Sequence, residues 1–147
     1  MRKLDRLLKL SGNEFKVLLY SCLLLNSMRL ALWLLPFNVL RQKLAQISSV
    51  WVCEEQPQAV SVGFIVWTVN VASRYTPGVA KCLVRALTSG LLLTRYGYAH
   101  EFHIGVAKGT ANTIEAHAWI EYRDRVIVGW LTDLNRFKSL SVEGAKQ

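Results

Sequence analysis

Apolar residues along this chain change their spacing once, near Gly97. Before it they recur every three or four positions, as on helices; after it they alternate with polar positions, as on strands. Residues 1–10, MRKLDRLLKL, put leucines at helical spacing among basic groups, and Ser11-Gly12-Asn13 stops that short amphipathic helix. From Asn13 to Phe37 the chain is almost continuously apolar, with Arg29 near the middle and Asn26 and Ser27 beside it. The two uncharged halves, 17–28 and 30–40, each fall well short of the roughly 20 residues a bilayer span needs, and a central Arg costs about 2.5–3.5 kcal/mol on insertion scales. The pattern therefore predicts a buried or partner-facing helix that ends near Pro36, whose ring cannot continue the ladder. A further amphipathic turn follows in NVLRQKLAQ, 38–46.

The stretch SSVWVCEEQPQ, 48–58, is a polar break and the best internal boundary. It separates a helical front, 1–47, from a core, 59–147, in a chain whose length of 147 residues fits one domain. QAVSVGFIVWTVNVASRYTP, 58–77, reads as a second apolar helix, although its β-branched content leaves a strand open. In TPGVAKCLVRALTSGLLLTRYG, Pro77 and Gly78 open a helix, positions 79, 83, 86, 87, 91 and 93 give it a buried face, and Gly97 closes it. EFHIGVA, EAHAWIEY and RVIVGW then read as three strands, the last two joined across Arg123 and Asp124. Helices followed by an antiparallel sheet place the chain in the α+β class.

Composition narrows the partners more than the chemistry. Hydrophobic residues make up 52% of the chain, so a large apolar contact surface has to be considered. A formal charge of +8 favours acidic peptides or anionic membrane surfaces, while scattered basic residues and the lack of a paired Cys/His finger argue against nucleic acid. Cys22, Cys53 and Cys82 are odd in number, far apart and without a cleavable signal sequence, which fits a reducing cytoplasm and no disulfide framework. No CxxC pair or HExxH cluster occurs, so neither a metal nor a cofactor is expected.

One pair of residues carries candidate chemistry. Cys82 sits in the first turns of its predicted helix and His117 lies on a later strand, the arrangement used by cysteine nucleophiles. A helix N-terminus and an imidazolium both favour a thiolate, the imidazole can return its proton to a departing amine, and amides at the helix start point toward a developing oxyanion. The plainer alternative is a buried, inert thiol, which is how Cys22 and Cys53 read, and a satisfied sheet histidine. His103 reads as a sheet residue and His100 as exposed, while Trp119 and Trp130 read as core packing or as walls beside His117.

Together, CLVRAL (82–87), HIGVAKG (103–109) and AHAWIEYRDRVIVG (116–129) resemble the transglutaminase-like leader peptidases of lasso peptide biosynthesis, the B proteins. The apolar front with LLPFNVLRQKLA resembles the stand-alone, split form, whose peptide-recognition domain is a separate chain. The resemblance implies a papain/transglutaminase-like core and a cytoplasmic cysteine endopeptidase that removes the leader from a ribosomally made precursor peptide. It also implies two protein partners, a leader-binding recognition protein and an ATP-dependent lactam synthetase, and the apolar face of residues 17–40 is expected to dock that recognition protein, the synthetase or, peripherally, the membrane. Cys82 is then the nucleophile and His117 the base and acid. Many relatives carry an acidic residue twelve positions after the histidine, but here that position is Gly129. Glu121 is about 13 Å along the same strand and Asp124 is farther, which leaves Asp133 as the expected orienting carboxylate, with a backbone carbonyl or a water as the alternative. In an unbroken hairpin His117 faces Trp130 and Asp133 faces Ile114, about 10 Å too far along, so that role needs a bulge or bend near Gly129. The competing functions are an acyltransferase of the same fold and a membrane-associated interaction protein in which both residues are structural.

Overall fold

Ser11 opens the first long helix by a reciprocal cap. Its hydroxyl accepts from the Glu14 amide at 3.4 Å, and its own amide donates to the Glu14 carboxylate at 2.9 Å. In the computed structural model, which describes residues 5, 8–51, 59–76 and 81–140, this helix, α1, runs Gly12–Leu34 and stops just before Pro36. It buries Val17, Ser21, Leu25 and Met28, a single stripe at helical spacing. By length and composition α1 could also cross a membrane, a test that core helices pass as well. Helix α2, Phe37–Val50, follows at once and extends into the expected polar break.

Helix α3, Val62–Arg74, starts where the Ser61 hydroxyl accepts from the Phe64 amide at 3.2 Å. Its buried residues, Phe64, Ile65, Thr68, Val69 and Ala72, recur at helical spacing, so this segment is a helix despite its β-branched content. A polar relay joins it to α1. The Ser21 hydroxyl lies 2.9 Å from both the Val17 carbonyl and the Thr68 hydroxyl, and Thr68 donates to the Ile65 carbonyl at 2.8 Å. All of this is fully buried, so each hydroxyl must find its partner inside the protein.

Helix α4, Lys81–Arg95, is the hub, packing on α1, α2, α3 and three strands. Residues 86–93 are all buried, the mark of a helix surrounded by others rather than one lying on a surface. The first ten residues, Cys53 with most of the polar break, and the Pro77-Gly78 start of this helix fall largely or wholly outside the described residues.

The sheet is antiparallel, in the order β3-β2-β1-β4, with β1 Glu101–Lys108, β2 Ile114–Tyr122, β3 Arg125–Val128 and β4 Lys138–Leu140. β1 and β2 pair in unbroken register from Glu101↔Glu121 to Lys108↔Ile114. β2 and β3 start at Tyr122↔Arg125 and then shift, so that Ile120 pairs with Val128 and Ile127 bulges out. Alternation gives β2 two jobs. Ala118 and Ile120 join the helical core, whereas Trp119 faces a small second cluster with Ala107 and Phe137 on the other side of the sheet. β4 was not visible in the sequence pattern, because three exposed residues, KSL, carry no alternation to detect.

His100, expected to be exposed, is instead half-buried against α4, its Nδ1 3.0 Å from the Tyr98 carbonyl. Burial pushes its pKa below the ordinary histidine range, partly opposed by that hydrogen bond. The unfolded state then binds a proton at higher pH than the folded state, so this contribution is complete above the ordinary pKa of about 6.5 and is lost as pH falls toward the folded value. Melting temperature should accordingly fall between pH 7.5 and pH 5 in the wild type and fall less in His100→Gln.

Gly129 ends β3 with φ +79°, and a Cβ there would stand 2.5 Å from the Ala118 carbonyl oxygen. Only glycine fits both constraints. Gly129→Ala should lower unfolding free energy in urea by about 2 kcal/mol.

Candidate active site

The turn at Gly129 decides how His117 is held. Its Nε2 lies 2.6 Å from the Gly129 carbonyl oxygen. An oxygen acceptor requires that nitrogen to carry the proton, so in the neutral ring Nδ1 keeps the lone pair. The ring is half-buried beside Trp119, with centroids 6.3 Å apart, and Phe137, 5.5 Å away. Gly105, directly across from His117 on β1, makes room for this arrangement: a Cβ there would come within 2.9 Å of both Trp119 and Phe137. The glycine of the HIGVAKG motif is thus explained by close packing behind the histidine.

Cys82 is the second residue of α4 and is partly buried. Gly90 packs on Ile120, at 3.4 Å from the place a Cβ would take, and His100 folds back beside the same glycine. β1 therefore returns along α4 toward its start, and β2, antiparallel to β1, runs in the direction of α4. Counting back from this contact, Cys82 is about 12 Å up the helix axis and His117 about 10 Å up the strand. The two residues stand at similar heights. They approach β2 from different sides, however, because α4 lies on the face of Ala118 and Ile120 while the imidazole shares the face of Trp119. Among the described residues no hydrogen bond joins the Cys82 sulfur to the ring, whose partner is Gly129.

One cation lies close to the thiol. Arg85, one turn along α4, donates to the Asn70 side-chain oxygen on α3. Burial pushes the Arg85 pKa down, negative charge on Cys82 opposes that shift, and neighbouring Arg74 adds to it. Burial pushes the Cys22 thiol up and favours its inert, protonated form.

Asp133 is not where an orienting carboxylate would stand. Its Oδ2 lies 3.0 Å from Arg136 Nε at a half-exposed position, and Arg136 also reaches Glu115 at 2.8 Å. The expected bulge exists, but it falls at Ile127, and it brings a main-chain carbonyl to the ring. Glu121 accepts from the Trp119 indole at 3.0 Å. A backbone carbonyl in this role was the open alternative to Asp133, but sequence reasoning did not identify it as that of Gly129, and it missed Phe137. The signal for the first was the glycine standing where relatives carry an acid; Phe137 comes from a segment without strand or helix periodicity.

His103 stacks on Trp119 with centroids 5.3 Å apart. Its Nε2 is 3.4 Å from Glu101 and 3.7 Å from Glu121. These three donors lie within 4.8 Å of one another, close enough for a metal ion, though a protonated histidine between two carboxylates makes the same geometry.

Residues 23–142 match the family model described as the transglutaminase-like superfamily. No curated protein and no solved structure matches the chain. The match covers most of the sequence, including the Cys82 helix and the whole His117 hairpin, and it accords with the α+β order of helices and antiparallel strands. The chain belongs to the transglutaminase-like superfamily.

Proposed function

We propose that this protein is a cysteine endopeptidase that cuts the leader from a ribosomally made lasso precursor peptide, with Cys82 as nucleophile and His117 as base and acid. The observation that carries this reading is the hydrogen bond from His117 to Gly129, within a superfamily match that includes the Cys82 helix. It fixes the ring with its free nitrogen available, twelve residues before the position where the relatives' acid would stand. The specific peptidase reading rests on the three motifs at 82–87, 103–109 and 116–129.

Catalysis would begin with attack of the Cys82 thiolate on the carbonyl carbon at the leader–core junction. The tetrahedral oxyanion collapses to a thioester, the C–N bond breaks, and the core amine takes a proton from the His117 imidazolium. Water, giving its proton to the neutral imidazole, then hydrolyses the thioester and frees the leader carboxylate and the thiol. Substrate binding must bring together the sulfur and the ring, which approach the interior strand β2 from different faces. Catalytic hydrogen bonds are often long in the free enzyme and tighten only around substrate. The precursor is presented by a separate leader-binding protein, and the freed amine passes to an ATP-dependent lactam synthetase.

Alkylation tests the pairing without a substrate. Iodoacetamide at pH 6 should label Cys82 and spare Cys22, read by peptide mass, and His117→Ala should slow Cys82 labelling at least about tenfold. Equal rates in both proteins would mean that the two groups do not interact.

Turnover tests the residues. With the cognate precursor and its leader-binding protein supplied, Cys82→Ala and His117→Ala should each abolish cleavage while retaining the wild-type circular dichroism spectrum. Asp133→Asn should keep activity within about threefold, because its carboxylate is engaged with exposed Arg136. If added hydroxylamine or a peptide amine captures the acyl group faster than water does, the protein is the acyltransferase instead.

A further inference from the structure

Helix α1 is two-sided in a way that its burial in the domain does not exhaust. Opposite the stripe that packs on α3 and α4, Phe15, Leu19, Leu23, Leu30, Trp33 and Leu34 form a ridge, each between 48% and 81% exposed. At 100° per residue these six lie within about 55° of a common line down the helix. Monomeric soluble proteins rarely leave so long an apolar strip in water.

Charge identifies the occupant. Lys16 and Arg29, both exposed, flank the ridge about 50–90° to either side. Residues 15–53 contain four basic residues, Lys16, Arg29, Arg41 and Lys43, and no acidic one. Residues 1–53 hold eight Lys and Arg against two Asp and Glu, so they supply +6 of the formal +8. The protein's positive charge is therefore gathered on the same third of the chain as its exposed apolar ridge, which is the combination that binds anionic lipid surfaces.

We propose that α1 lies in the plane of an anionic phospholipid surface, inserting the Phe15–Leu34 ridge among the acyl chains while its flanking cations meet lipid phosphates. Spanning is disfavoured by the other face of the same helix. Val17, Leu25 and Met28 are buried in the domain core and Ser21 is bonded to Thr68, so a transmembrane α1 would strip the core from α3 and α4. This inference is independent of the catalytic reading and stands or falls separately.

Co-sedimentation of the full chain with vesicles provides the test. Binding should be strong to phosphatidylcholine vesicles containing phosphatidylglycerol, at least about tenfold weaker to phosphatidylcholine alone, and weakened by 0.5 M salt. The triple variant Leu19→Ser, Leu23→Ser, Leu30→Ser should lose at least about tenfold in binding while melting like the wild type, since all three positions are exposed. Should that variant misfold, Lys16→Glu with Arg29→Glu keeps the apolar ridge and should still abolish the preference for anionic lipid. Unchanged binding in a folded variant, or no binding to the anionic vesicles, would overturn the proposal. So would resistance to carbonate extraction, which marks a spanning helix, or light scattering showing a dimer that the serine substitutions dissociate.

Discussion

The packing of α4 along β2 is the constraint on which the rest of the molecule depends. Gly90 packs on Ile120 with the His100 ring folded tightly beside it, which seats the helix on the strand. With that packing in place, α4 is the element around which α1, α2 and α3 gather. A helix buried on all sides has no solvated face on which to slide, so its height relative to the strand is fixed by close packing rather than by a few polar contacts.

Much of this architecture was legible in the sequence. The change of period at Gly97 gave the α+β order, and the three principal strands lie within a few residues of where alternation put them. The end of the front helix followed from Pro36, whose effect is local and steric, whereas Ser11, read as part of the SGN stop of the preceding segment, is the hydrogen-bonded cap that opens it. Legibility failed where long-range geometry took over. Alternation along AHAWIEY gives the two faces of the strand but not which of them α4 will cover, so the side of the sheet on which His117 would stand could not be read. His100 looked like a loop residue, and only the fold-back of β1 against Gly90 buried it. The role expected of Asp133 failed for a related reason. A one-residue bulge at Ile127 reverses the facing of everything after it, and a carboxylate in an irregular segment takes the nearest cation, here Arg136.

The small cluster on the far face of the sheet gives meaning to motif residues that otherwise look incidental. Trp119 is packed over Gly105, stacked on His103, bonded through its indole to Glu121 and set beside His117. It ties β1 and β2 to the segment carrying Phe137 and so walls the imidazole on one side. Aromatic residues suit this job because they present a large, stiff surface with few rotatable bonds, and the one polar atom of the indole is satisfied locally.

Replacing an orienting carboxylate by the Gly129 carbonyl has an energetic consequence that geometry alone does not show. Either acceptor fixes the ring tautomer and its direction, but a carboxylate adds a full negative charge that stabilises the imidazolium, whereas a carbonyl adds only a dipole. In the proposed mechanism, a thiolate–imidazolium pair supported by a carbonyl would draw more of its stability from the sulfur side, where Arg85 lies one turn away. The positive φ that lets the Gly129 carbonyl face the ring also leaves no room for a Cβ, so this site cannot acquire the missing carboxylate by a single substitution there. Backbone geometry and the choice of acceptor are the same fact.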